Sequence, residues 1–103
     1  MIRHLVALKF KSGTSEDVKQ GLYADLAALN GHIDGILDFQ ARRNISIEDH
    51  VVYGFRDLFW FDFRDAEVRD VYLVDAVHKS IGARIVAETE GGPDGVFVID
   101  FEV

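Results

Sequence analysis

The segment from Phe55 to Phe63 reads F-R-D-L-F-W-F-D-F and alternates with a period of two. That period is typical of a β-strand, because successive side chains point to opposite faces of a sheet. One face carries four phenylalanines and Asp57, and the other carries the only tryptophan, Trp60. Each phenylalanine stabilises the fold by roughly 1.5–3 kcal/mol when it is fully buried. We therefore expect a central strand whose phenylalanine face packs against amphipathic helices.

Asp57 interrupts this phenylalanine face. A buried carboxylate without a partner is costly, so it must neutralise, pair or reach water. One interpretation is an ion pair with a neighbouring Arg or His, or a position at the solvent-accessible end of the strand. The other is a polar group that lines an internal pocket.

The composition limits both the fold and the function classes. A chain of 103 residues with 49% hydrophobic residues predicts one globular domain over residues 1–103. The net charge of −7 and the absence of a basic cluster disfavour a nucleic-acid partner. The chain has no cysteine, no signal-peptide pattern and no apolar run of about 18 residues. We therefore expect a cytoplasmic protein with no membrane partner.

The remaining chain carries three further strand patterns. Alternating side chains predict strands over Ile2–Lys11 and, less regularly, over Gly35–Arg43. The turn Gly91–Gly95 leads into a last predicted strand over Val96–Val103. We expect this last strand to present one set of side chains to the helices and the other outward; the inward set is Phe97, Ile99, Phe101 and Val103, and the outward set is Val98, Asp100 and Glu102.

Two helical regions separate these strands. Apolar spacings of three and four predict a helix from about Ser15 to Leu29, with Thr14 as a candidate N-cap. A second helical region follows Asp65, which can cap it, and a break is expected at Asp75-Ala76.

The element order is β-α-β-β-α-β. It predicts the ferredoxin-like α+β fold, a four-stranded antiparallel sheet with helices on one face. The first and third strands form the central pair of this topology. His4 and Asp57 should then lie on adjacent strands, on the side of the helices.

The second face of the sheet would remain uncovered in a monomer. It is expected to carry an apolar patch that includes Leu5, Leu58, Trp60 and Val98. Such a patch usually marks an interface, so we expect two sheets to pack face to face in a two-fold homodimer. The alternative is a solvated face with a single stray tryptophan.

Several segments resemble the stress-responsive dimeric α/β-barrel (Dabb) proteins. They are R-H-L-V-A-L-K-F-K at 3–11, T-S-E-D at 14–17, G-I-L-D-F at 35–39, G-F-R-D-L-F-W-F-D-F at 54–63, Y-L-V-D-A-V-H at 72–78 and V-I-D-F-E at 98–102. The resemblance covers essentially the whole chain. It implies a ferredoxin-like fold and a dimer whose two sheets close into a barrel.

The chain is also distantly similar to a plant branch of that family, the polyketide (olivetolic acid) cyclases, which close a linear polyketide by an intramolecular aldol condensation. The resemblance implies that Tyr72 and His78 form an acid/base pair and that His4 lines the same pocket. The chain departs from this branch at Asp57, where the cyclases have a second pocket histidine, and at Leu26, where they have a tyrosine.

His78 and Tyr72 are therefore the candidate catalytic residues, and His4 and Asp57 the candidate pocket residues. An imidazole can take a proton from an activated carbon near neutral pH, and a tyrosine hydroxyl can hold a developing enolate oxygen. Asp57 could orient an imidazole such as that of His4. Each of the three residues also has a structural alternative. The His78 ring could bond a backbone carbonyl near Ala76, the residue that stands where the family usually has a proline. Tyr72 could only pack against the sheet, and His4 could be a core histidine with its hydrogen bonds satisfied.

Two function classes remain open, and neither needs a metal or cofactor, because no His or acidic pair has the usual close ligand spacing. The first is a pocket that binds or converts a hydrophobic carbonyl compound, as a lyase or cyclase. The second is a non-catalytic stress-related homodimer. A weaker third is a related monooxygenase or ring isomerase. A pocket of roughly 300 Å³ or more would favour the first class, and a core filled by Phe55, Phe59 and Phe61 the second.

Overall fold

A computed structural model describes all 103 residues. It contains four strands and three α-helices. In chain order these are β1 (Ile2–Leu8), α1 (Glu16–Ala27), β2 (Ile36–Arg43), β3 (Asp57–Phe63), α2 (Ala66–Val74), α3 (Ala76–Glu88) and β4 (Val96–Glu102). Short 3-10 turns lie at Ala28–Gly31, Asp49–Val51 and Gly92–Gly95.

The four strands form one antiparallel sheet in the order β2-β3-β1-β4. This is the ferredoxin-like arrangement, and the predicted central pair of β1 and β3 is confirmed. The first strand is shorter than predicted, because only an isolated bridge from Phe10 to Thr89 continues it beyond Leu8.

The core lies between one face of the sheet and the helices. Phe59, Phe61 and Phe63 of β3 are buried there beside Val6 and Leu8 of β1. The helices contribute a second apolar layer, formed by Leu22, Leu26, Leu29, Val68, Tyr72, Ile81 and Ile85. The phenylalanine face therefore packs as its alternation predicts.

Each helix begins at a side-chain cap. Ser15, rather than the expected Thr14, caps α1, and its Oγ accepts a hydrogen bond from the Val18 N–H at 3.2 Å. Asp65 caps α2 as predicted. Asp75 is the single residue between α2 and α3 and confirms the predicted break. No helix has both the length and the apolar character needed to cross a membrane.

The two faces of β4 are the reverse of those predicted. Val98 is paired with Val6 and Asp100 with His4, and paired residues share a face, so both lie on the helix side. Phe97, Ile99 and Phe101 instead lie on the opposite face, called the open face below. The set on the open face is wholly apolar, whereas the set on the helix side contains Asp100 and Glu102, so apolar content assigned the two faces in reverse.

Val98 is consequently not part of the open face, whereas the other predicted interface residues are. Leu5, Leu58 and Trp60 all lie there and are half-buried in the monomer. The guanidinium carbons of Arg3 and Arg42 lie 5.5 and 5.7 Å from the centre of the Trp60 ring.

Phe55 and Asp57 also differ from expectation. Phe55 precedes β3, and its ring lies 6.3 Å from that of Phe97 rather than in the phenylalanine core. Asp57 is buried, and Lys19 of α1 donates a hydrogen bond to its Oδ2 at 3.2 Å. The expectation of a local partner is thus met by a lysine, not by an Arg or His.

Candidate functional site

A cavity of about 220 Å³ lies between the helix side of the sheet and the helices. Its lining is mostly hydrophobic, and its only ionisable side chains are His4, Tyr72 and His78. The apolar lining is Val6, Leu26, Phe59, Leu73, Ile85, Val86, Val96 and Val98, with Gly82 completing the wall. The sequence-predicted residues of the first strand and of the Tyr72–His78 segment thus meet at one cavity.

His4 is the best-oriented polar group of the site. Its side chain is 6% exposed, and its Nδ1 lies 2.6 Å from Oδ1 of Asp100 on β4. A carboxylate accepts hydrogen bonds only, so Nδ1 carries the proton and donates it. When the ring is neutral, Nε2 has a free lone pair, which is the state required of a general base.

Arg69 of α2 extends this arrangement. Its guanidinium donates to the second carboxylate oxygen of Asp100 at 3.2 Å and also contacts Asp70. The two oxygens of Asp100 therefore have separate partners, one on the sheet and one on a helix. This fixes the carboxylate plane and with it the His4 ring.

Tyr72 and His78 stack on each other across the break between α2 and α3. Their ring centres are 3.7 Å apart, with 26° between the ring planes. The Tyr72 ring also contacts His4, at 5.4 Å between centres. Nδ1 of His78 is buried without a hydrogen-bond partner.

Burial sets the protonation states of this pair. It lowers the pKa of His78, with a smaller opposing effect from the Tyr72 backbone carbonyl, so the imidazole is neutral at pH 7. Burial and the nearby Asp100 raise the pKa of Tyr72, so its hydroxyl stays protonated. The pair therefore offers a hydrogen-bond donor and a neutral imidazole, without a fixed charge.

Asp57 does not belong to this cavity. It pairs with Lys19 instead. The hydroxyl of Tyr23 is buried without a partner, and burial and the charge of Asp57 raise its pKa. The residue that sequence reasoning missed is Asp100. A buried His4 needs a hydrogen-bond acceptor. Had the even-numbered residues of β4 been assigned to the helix side, Asp100 would have been the evident acceptor.

The chemistry open to this site is proton transfer on an apolar molecule. A base, a neutral hydroxyl donor and a second imidazole converge on a cavity that otherwise offers only hydrocarbon contacts. No cluster of three or more histidine and acidic side chains is arranged to bind a metal ion.

Solved structures share this fold over nearly the whole chain. A dimeric ferredoxin-like protein of unknown function from Jannaschia sp. CCS1 is 28% identical, with a TM-score of 0.88 and coverage of 99% of this chain and 98% of that one. An Arabidopsis thaliana protein is 23% identical, with a TM-score of 0.87 and coverage of 100% and 95%.

The hydroxynitrile lyase of Passiflora edulis has the same fold. It is 14% identical, with a TM-score of 0.81 and coverage of 99% of this chain and 92% of the lyase. A search of the curated proteins gave no match. The profile of the stress-responsive A/B barrel domain matches residues 2–103. The chain therefore belongs to the stress-responsive A/B barrel (Dabb) family.

Proposed function

We propose that this protein is a homodimer whose cavity binds a small, mostly apolar carbonyl compound and transfers a proton on it, in reactions of the lyase or cyclase type. His4 is the general base, Tyr72 holds the carbonyl oxygen through its hydroxyl, and His78 is the second acid/base group. The observation that carries the proposal is the 2.6 Å contact between His4 and Asp100 at the wall of an apolar cavity.

The step is enolisation of the bound compound. Nε2 of His4 takes a proton from the carbon next to the carbonyl, and the electron pair of that C–H bond moves to form the enolate. The Tyr72 O–H donates a hydrogen bond to the oxygen on which the negative charge develops. The imidazolium exchanges its Nε2 proton with solvent, and delivery of a solvent-derived proton to the enolate carbon completes an exchange. Attack of the enolate carbon on a second carbonyl instead closes a ring, and the alkoxide that forms takes the proton from His4 or His78.

Asp100 supports this role of His4 in two ways. It fixes the tautomer with the proton on Nδ1, and it stabilises the imidazolium that forms when Nε2 accepts a proton. Arg69 balances the carboxylate charge at the other oxygen. The Passiflora edulis protein that shares this fold is named as a hydroxynitrile lyase, and its identity of 14% shows a common fold only.

The experiment follows the exchange of the methyl protons of acetophenone in D2O by proton NMR. The wild-type protein should accelerate exchange over buffer, and His4→Gln should abolish the acceleration. Gly82→Phe should also abolish it, because Gly82 lines the cavity and a side chain added there meets open space. Gly21→Phe is the matched control, since that glycine lies in α1, outside the cavity, and is equally unhindered.

A second candidate is a non-catalytic homodimer in which Tyr72 and His78 are structural. Two observations favour it: the cavity is smaller than roughly 300 Å³, and the two rings fill space by stacking on each other. If acetophenone exchange in the presence of the protein equals that in buffer, and the ligand signals are not broadened, this candidate replaces the first.

The homodimer in this proposal rests on the open face. That face carries three exposed apolar residues of β4, namely Phe97, Ile99 and Phe101. The same face also carries Leu5, Leu58 and Trp60. The Jannaschia relative, which is described as dimeric, agrees with this assembly.

A further inference from the structure

The break between α2 and α3 consists of one residue, Asp75. Its backbone is extended, with φ −66° and ψ 130°, whereas the residues on both sides are helical. The direction of α3 relative to α2 therefore depends on how this residue is held. Tyr72 lies in the last turn of α2 and His78 in the first turn of α3, so their stack spans the break.

Asp75 bonds to both members of that stack. Its N–H donates to the backbone carbonyl of Tyr72 at 3.2 Å. Its Oδ2 accepts a hydrogen bond from the backbone N–H of His78 at 2.9 Å. One residue therefore closes the end of α2 and opens α3.

His32 fixes the carboxylate from a third element. It follows the 3-10 turn after α1, and its Nε2 donates to Oδ1 of Asp75 at 2.8 Å. The imidazole is half-exposed, while the Asp75 side chain is largely buried. The two carboxylate oxygens thus bind different partners, His32 on one side and the His78 backbone on the other.

We propose that Asp75 and His32 are positioning residues for the Tyr72–His78 pair, and that the contact of His32 with Asp75 sets the ring stacking from outside the cavity. This inference rests on the proposed function only for its effect on activity. The geometric part concerns the ring stack itself and is measured separately. Neither residue lines the cavity, so neither touches a bound compound.

The need for such a contact follows from the residue after the break. Ala76 is the first residue of α3, and its side chain does not restrict φ. A proline at this position would fix φ near −65°. The extended ψ of Asp75 is also the conformation that a residue before proline favours. Ala76→Pro should therefore rigidify the break without the His32 contact.

The test records the imidazole proton shifts of His78 in the full-length protein by NMR. Stacking on Tyr72 places these protons against an aromatic face and shifts them upfield. His32→Ala should move them toward unstacked values and reduce acetophenone exchange on the order of 10-fold, because misplaced catalytic groups lose rate steeply. His32→Gln retains an N–H donor of similar reach and should keep the wild-type shifts.

Two further variants separate the contact from the helix cap. Asp75→Ser retains a capping oxygen for the His78 N–H but is too short to reach His32, so it should reproduce the effect of His32→Ala. Adding Ala76→Pro to His32→Ala should restore the upfield shifts. Arg84→Ala is the control, because it removes an external contact between α3 and α1, to Asp25 at 2.7 Å.

The outcomes are distinct for the two proposals. Wild-type His78 shifts in both His32→Ala and Asp75→Ser would overturn the positioning role, whatever the exchange rates. Failure of the wild-type protein to exchange acetophenone would overturn the proposed function, while the shifts would still decide whether His32 and Asp75 set the stack.

Discussion

Nδ1 of His4 and Oδ1 of Asp100 lie 2.6 Å apart although the two residues are 96 positions apart in the chain. The contact exists because β1 and β4 are neighbours and these two residues are paired in register. We expect Asp100→Asn to lower acetophenone exchange by at least about 100-fold, since an amide that donates to Nδ1 would place the imidazole proton on Nε2. The measurement is the exchange rate by proton NMR.

Asp70→Asn is the matched control for that variant. Asp70 also contacts Arg69 but not His4, so its substitution should leave the exchange rate within a factor of about two. Equal losses in both variants would assign the effect to Arg69 rather than to the His4 tautomer.

Two adjacent residues of β4 should respond oppositely to a charge. Ile99 is 44% exposed on the open face and Val98 is 51% exposed on the helix side. Ile99→Asp should dissociate the proposed homodimer, because it would bury a carboxylate between the two open faces. Val98→Asp should leave the homodimer assembled. Sedimentation equilibrium measures the mass of each variant. A dimeric Ile99→Asp protein would contradict the open face as the interface.

The Lys19–Asp57 pair should matter for stability and not for the cavity. Both side chains are largely buried, so Lys19→Met would leave Asp57 without a partner and cost about 3 kcal/mol in free energy of unfolding. Asp57→Leu in the same chain should recover most of this loss, because both charges are then removed. Lys79→Met, at an exposed site of α3, is the control, and urea titration is the measurement.

Two glycines should differ in the sign of their response to alanine. A methyl group at Gly82 meets nothing within 4 Å, so Gly82→Ala should raise the free energy of unfolding by about 0.5–1 kcal/mol through helix propensity. A methyl group at Gly95 would lie 2.7 Å from the backbone oxygen of Glu90, so Gly95→Ala should destabilise the protein. Thermal unfolding of the two variants decides both signs.

The pKa of His78 predicts a loss of stability in acid. Burial lowers this pKa in the folded state, so the unfolded chain binds the proton at a higher pH. The free energy of unfolding should therefore fall as the pH drops below about 6.5, where the unfolded histidine becomes charged. His78→Gln should remove this contribution.

The comparison requires urea titrations at about pH 7.5 and about pH 5.5, which bracket the ordinary histidine pKa. His50→Gln, in the exposed connection between β2 and β3, is the control and should retain the wild-type dependence. If wild type and His78→Gln lose the same stability between the two pH values, the lowered pKa of His78 is wrong.

The alternation of β3 was sufficient to predict the central strand, the core face and the position of Trp60. Period-two patterns are informative when one face is clearly more apolar than the other, as with Phe59, Phe61 and Phe63. In β4 the more apolar face is the open face, and the face with Asp100 and Glu102 lies toward the helices, so the same rule assigned the faces in reverse. Only the pairing with β1 decides that Asp100 faces His4.

The candidate site was predictable only in part. Tyr72, His78 and His4 were identified through the resemblance to the cyclase branch, and they meet at one cavity. Asp57 was assigned to the pocket because it interrupts the phenylalanine face and stands where the cyclases have a pocket histidine, but neither observation fixes its partner. Lys19 reaches Asp57 from α1, and no local pattern in the helix predicts the direction of a long side chain.

Trp60 is the only tryptophan in the chain, and it lies on the face of the sheet opposite the cavity. The tryptophan fluorescence of the unlabelled protein therefore comes from a single ring on the open face, close to the guanidinium groups of Arg3 and Arg42. Its emission would follow subunit association on dilution, whereas a compound entering the cavity would be separated from the fluorophore by the thickness of the sheet. Association and ligand entry are thus optically separable in the native protein, without a label.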